Sequence, residues 1–149
     1  MPVTYDPAAE AAFYHSISDA PQALKAFFDQ LAGHFRARND TSVAYTFSNS
    51  RKGQMRVWAF WQKFNNKDAK RKECKRVTAT LHWQSSKQTV FVRCLLTPAE
   101  LRQRRFDNVQ MPTPAETLNC DLWLSENDWT HRVSEIIAAL DVSANKAEQ

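Results

Sequence analysis

From Pro21 onward, Leu24, Phe27, Phe28, Leu31 and Phe35 recur at spacings of three and four, while Lys25, Asp29 and Arg36 fall between them. That period draws one apolar stripe along an α-helix and predicts a helix that buries this face. Ahead of it, "DPAAEAAFYHSI" supplies Asp6 as an N-cap and Pro7 at the first helical position, where a missing N–H is harmless and the ring presets φ. A short helix is expected there, within an N-terminal arm of residues 1–20.

Beyond "RARND" the period changes to two. Val43, Tyr45 and Phe47 alternate along "TSVAYTFS" before the turn-rich "NSRKGQ", which predicts a strand and a hairpin. "QMRVWAFWQKF" is apolar on both faces, with Val57, Ala59 and Trp61 on one and Trp58 and Phe60 on the other, so it reads as a central strand. "RVTATLHW" sets Val77, Ala79, Leu81 and Trp83 against Thr78, Thr80 and His82, and "QTVFVRCLL" sets Val90, Val92 and Cys94 against Phe91 and Arg93.

"LTPAELRQRRF" then carries the capping-box pattern, with Thr97 as N-cap, Pro98 next and Glu100 three residues on. After a loop through "VQMPTPAE", Leu118, Cys120, Leu122 and Leu124 alternate, and a last helix from "SENDW" aligns Trp129, Val133, Ile136, Ile137 and Leu140. The series predicts an α+β fold with a roughly five-stranded, mainly antiparallel sheet: a four-strand meander plus one later strand, with helices packed on one face. Residues 21–140 are expected to form a single domain and 141–149 a frayed tail.

In this order of elements, ending in "CDLWLSENDWTHRVSEIIAAL", the chain resembles small bacterial α+β domains of unknown function found alone or beside restriction-type nucleases. The resemblance spans residues 21–140 by layout, transfers no functional residue, and implies an association with nucleic-acid metabolism.

Composition removes several function classes. Two glycines, Gly33 and Gly53, stand where average usage would give about ten, so a phosphate-cradling loop that needs several is not expected. Cys74, Cys94 and Cys120 lie far apart without a CxxC pair, and the four histidines show no HxxxH or HExxH spacing, so no metal site and no cofactor is expected. Reduced thiols are the reading for the cysteines, with Cys74 alone in a basic setting that favours reactivity. The N-terminus lacks a basic start followed by an apolar run, and apolar runs are short, so a cytoplasmic protein without membrane contact is expected.

Charge is segregated. Residues 51–105 hold fifteen Lys or Arg against three acids, whereas 107–149 hold two against eight. The peak is "KFNNKDAKRKECKRV", where Lys63, Lys67, Lys70, Arg71, Lys72, Lys75 and Arg76 crowd into one predicted hairpin tip. With Arg93, Arg102, Arg104 and Arg105, these residues form a candidate footprint for nucleic acid or another polyanion. The sheet face away from the helices is expected to show Thr78, Thr80, His82, Phe91, Arg93 and Trp123, with either Trp58 and Phe60 or their alternates. Aromatic rings among cations could stack bases, and equally could be an interface for a protein partner or a second copy in a homo-oligomer. The basic run alone could also be a solvated loop. Asp68, Glu73 and Lys75 loosely resemble a metal-dependent nuclease set, but they fall in a polar loop rather than on buried strands. No catalytic residue is assigned.

Overall fold

The computed structural model describes residues 3–38, 42–48, 53–111 and 120–148. Helices form where caps and stripes lie. Asp6 Oδ1 accepts the Ala8 amide at 3.0 Å and starts α1 (Pro7–Ser16), while α2 (Gln22–Ala37) buries all five residues of its predicted stripe. Phe13 and Ile17, expected on an arm outside the domain, are buried in the same core. Phe13 meets Phe28 of α2 edge-on, with ring centroids 5.0 Å apart, an arrangement that the ring quadrupoles favour.

The strands are β1 (Val43–Ser48), β2 (Gln54–Asn65), β3 (Lys70–Gln84), β4 (Thr89–Cys94), β5 (Val109–Gln110) and β6 (Cys120–Leu124). They form one antiparallel sheet in the order β1-β2-β3-β4-β6-β5. The meander is as expected; the sixth strand is β5, two residues beside β6 at the sheet edge, too short for any alternation to reveal. The turn expected at "NSRKGQ" and Leu118 of the later strand lie largely outside the described residues. Between β4 and β5 sits α3 (Pro98–Gln103), opened by the expected Thr97–Glu100 capping box.

All helices cover one sheet face. Val57, Leu81, Val92 and Leu122 are among the strand residues that join Leu24, Phe27, Ile136 and Leu140 in a single cluster. Each such large side chain contributes roughly 1.5–3 kcal/mol by leaving water. Within this face the expected alternation fails at one point. The β2–β3 register shifts between Val57, opposite Ala79, and Trp58, opposite Val77, so Thr78 is the extra residue of a bulge. Val77 was expected toward the helices and instead shares Trp58's face; Thr78 was expected on the open face and is buried. Thr78 donates its hydroxyl to the Val57 carbonyl at 3.3 Å, and its own carbonyl accepts the Ser143 hydroxyl at 2.8 Å.

The expected final helix is divided into α4 (Glu126–His131), opened by a Ser125–Asp128 capping box, and α5 (Val133–Asn145). The junction is Arg132, at φ −122, whose guanidinium reaches the carbonyls of Arg104 and Arg105 at 2.6 and 2.8 Å and lies 4.1 Å from the Phe106 ring centre. The tail does not fray from 141: α5 continues to Asn145, and Ser143, Ala144 and Ala147 are buried. Ser143 explains this, since its hydroxyl also accepts the Leu95 amide at 2.9 Å and so ties α5 to the strands. Among the described residues no helix is long and apolar enough to cross a membrane.

Candidate nucleic-acid interface

The basic stretch is mostly strand. β1 pairs with β2 only as far as Val43 opposite Ala59, and β4 pairs with β3 only from Cys94 opposite Ala79. Past these points, with a last hydrogen bond from the Phe60 amide to the Ser42 carbonyl at 2.8 Å, β2 and β3 continue among the described residues as a two-stranded ribbon from Phe60 opposite Lys75 to Asn65 opposite Lys70. Six pairs at about 3.4 Å each carry the ribbon roughly 20 Å. Every residue from Gln62 to Glu73 is exposed.

The tip is a four-residue turn rather than a long loop. Asn65 Oδ1 accepts the Lys67 amide and Asp68 Oδ1 accepts the Lys70 amide, each at 3.0 Å, and Ala69 takes the left-handed φ of +53 that reverses the chain. Asp68 is therefore a turn residue, and Glu73 lies on the exposed ribbon opposite Gln62. This dispersal does not assemble the acid set of a metal-dependent nuclease. Among the described residues no three His, Cys, Asp or Glu side chains are placed to hold a metal ion.

Register assigns the ribbon's two faces. Lys63, Lys70 and Lys72 continue the helix-covered side with Trp61 and Cys74; Phe60, Phe64, Arg71 and Lys75 continue the open side with Gln62 and Glu73. Cations therefore stand on both faces, with Lys67 at the tip. Arg76 sits at the base, where it donates to the Ala147 carbonyl at 3.2 Å and fastens the C-terminal segment.

The open sheet face extends from the ribbon. Unbroken alternation along β2, with Met55, Val57 and Ala59 buried, puts Trp58 and Phe60 on this face rather than their alternates; Lys75 Nζ lies 5.4 Å from the Trp58 ring centre, and the Trp58 indole donates to Thr46 at 2.8 Å. Next comes a polar row in which Arg56 and Arg93 flank Thr80. Arg93 makes a two-pronged bond to Asp121, at 2.8 and 3.3 Å. That bond raises the Arg93 pKa, so the cation is held by a carboxylate in the sheet. At the far end His82, Phe91 and Trp123 form a cross-strand ladder, with neighbouring ring centres 5.1 and 5.4 Å apart. Phe91 and Trp123 are half-buried and His82 is buried.

Arg102, Arg104 and Arg105 are not on this surface's strands. They lie on α3 and the turn after it, which packs against β5 at the opposite edge of the sheet from the β2–β3 ribbon. Cys94 faces Cys120 across β4 and β6; burial pushes the Cys94 thiol up to about 12 and raises that of Cys120, which keeps both protonated and inert.

Two residues escaped the sequence reading of the site. Phe64 is 56% exposed within the ribbon, and its signal was available as an aromatic residue two positions past Gln62 on the Phe60 face. Arg56 joins the polar row through a register that no local pattern encodes. The chain matches no protein-family model, no curated protein and no solved structure.

Proposed function

We propose that this is a small non-enzymatic protein that binds nucleic acid, or another polyanion, through the β2–β3 ribbon, with the open aromatic face as its continuation. The observation that carries the reading is the exposed ribbon bearing Lys63, Lys67, Lys70, Arg71, Lys72 and Lys75 on both faces and at its tip. Neutralising phosphates releases condensed counterions, so affinity should fall steeply with salt. The layout resemblance to domains beside restriction-type nucleases leans the same way, and a cytoplasmic location, where thiols stay reduced, belongs to this reading. Binding of a labelled oligonucleotide across a salt series tests it. The expected result is a steep salt slope that flattens when Lys70, Arg71 and Lys72 become Ala; no binding at low salt, or no change in the variant, overturns it.

A second reading is supported by the His82–Phe91–Trp123 ladder: an interaction protein that self-associates through its aromatic face. Sedimentation velocity separates the two, because this reading requires a dimer that Trp123→Ala dissociates.

A further inference from the structure

We infer that the ligand of the ribbon is duplex DNA, and that Phe64 enters it as a wedge at an opened base step; this rests on the polyanion reading above. The two-faced charge is the first argument. Lys63, Lys70 and Lys72 on one side and Arg71 and Lys75 on the other point away from each other across the ribbon. A single strand laid along one face would leave the other face's cations unmatched, whereas a duplex groove that takes the Phe64 face against its floor rises along both edges of the ribbon, so its phosphate walls come within reach of the long side chains of both faces.

Dimensions agree with a groove. Two paired strands lie about 4.8 Å apart, and B-form grooves accept two-stranded ribbons, whereas the deep, narrow major groove of A-form RNA does not admit side-chain readout. The ribbon's reach of roughly 20 Å past its last sheet neighbours lets it enter while the helices stay clear of the backbone.

Phe64 supplies the second argument. It is 56% exposed and stands opposite Arg71, one pair before the last of the ribbon, with no other large apolar side chain from Asn65 to Lys70 beyond it. An apolar ring held out in water by a β-ribbon contributes nothing to the core. Between two base pairs the same ring would be desolvated on both faces, while Arg71 and Lys63 beside it meet the flanking phosphates. Proteins that kink duplex DNA use apolar wedges in this way.

The test uses the full chain, a duplex carrying 2-aminopurine at a flexible pyrimidine–purine step, the matching single strand and an RNA duplex. The expected results are tighter binding to duplex DNA than to either alternative, a rise in 2-aminopurine fluorescence on binding, and loss of that rise with Phe64→Ala. That variant should also lose roughly tenfold in affinity, within the range for losing a base–aromatic stack. Phe64→Leu, which keeps an apolar wedge, should retain most of both. Tighter binding to the single strand or the RNA duplex, or duplex binding that Phe64→Ala leaves unchanged in affinity and fluorescence, overturns the inference while leaving the polyanion reading in place. Absence of binding to all three overturns both. Because Phe64 is exposed, Phe64→Ala is expected to melt with the parent, which excludes misfolding as the cause.

Discussion

Lys63 on β2 stands directly across the ribbon from Lys72 on β3, both exposed. Like charges directly opposite in an antiparallel pair oppose each other, so the ribbon is held together against its own charge. A polyanion lying along it would remove that repulsion. Lys63→Glu turns the pair into an attractive one and should slow hydrogen exchange of the ribbon amides by roughly two- to fivefold. The same change should weaken oligonucleotide binding. Exchange followed by mass spectrometry reads the first effect and a salt-series titration the second; a variant that gains protection and keeps full affinity would argue that the charge serves no ligand.

The Arg93–Asp121 pair carries a different expectation. Asp121 is 8% exposed, so Arg93→Ala strands a carboxylate among strand residues and should cost about 1–3 kcal/mol in denaturant unfolding. Adding Asp121→Asn to that variant should recover part of the loss. Asp121→Asn alone leaves the cation free on the open face and should tighten polyanion binding, provided the fold is retained by circular dichroism.

Two turn positions respond oppositely to the same kind of change. Ala69 holds φ +53, which an L side chain adopts at a cost, so Ala69→Gly should stabilise the ribbon by about 1 kcal/mol. Gly53 holds φ +65, and a Cβ there would come within 2.5 Å of Ser16 Oγ, so Gly53→Ala should destabilise the protein by about 1–3 kcal/mol. Thermal melts of the two variants check both signs.

Alkaline pH should weaken the fold. Against ordinary values of 9.0 for the thiol and 10.0 for the phenols, burial raises Cys94 to about 12 and also raises Tyr5, Tyr14 and Tyr45. Tyr14 is further held by donating its hydroxyl to Asp29. The folded chain therefore keeps protons that the unfolded chain has lost. Stability from these groups is complete below about pH 9 and falls as pH rises toward the folded value for Cys94. Melting temperature should drop between pH 9 and pH 11, and Tyr14→Phe should show a shallower drop, since it removes one of the linked protons.

Local pattern was enough for much of the fold. The stripe from Leu24 to Phe35, the caps at Asp6 and Thr97, and the alternation along β1, β4 and the Ala79–Trp83 half of β3 each act within a few residues. They therefore show in the chain without knowledge of its neighbours. For the same reason the concentration of cations between Lys63 and Arg76, and its place between two strands, was legible.

Non-local contacts decided the rest. The bulge at Thr78 sends Val77 to the open face, and it is stabilised by Ser143 from the far end of the chain. Strand order gave Arg93 a carboxylate partner and left Arg102, Arg104 and Arg105 at the opposite edge. The sequence by itself determined the α+β class and the basic hairpin, because periodicity and charge are written residue by residue. Only the tertiary structure decided that the hairpin projects as an exposed ribbon with cations on both faces and Phe64 near its tip. That outcome depends on β1 and β4 ending beside Ala59 and Ala79, which is set by pairing across the sheet rather than by anything within β2 or β3.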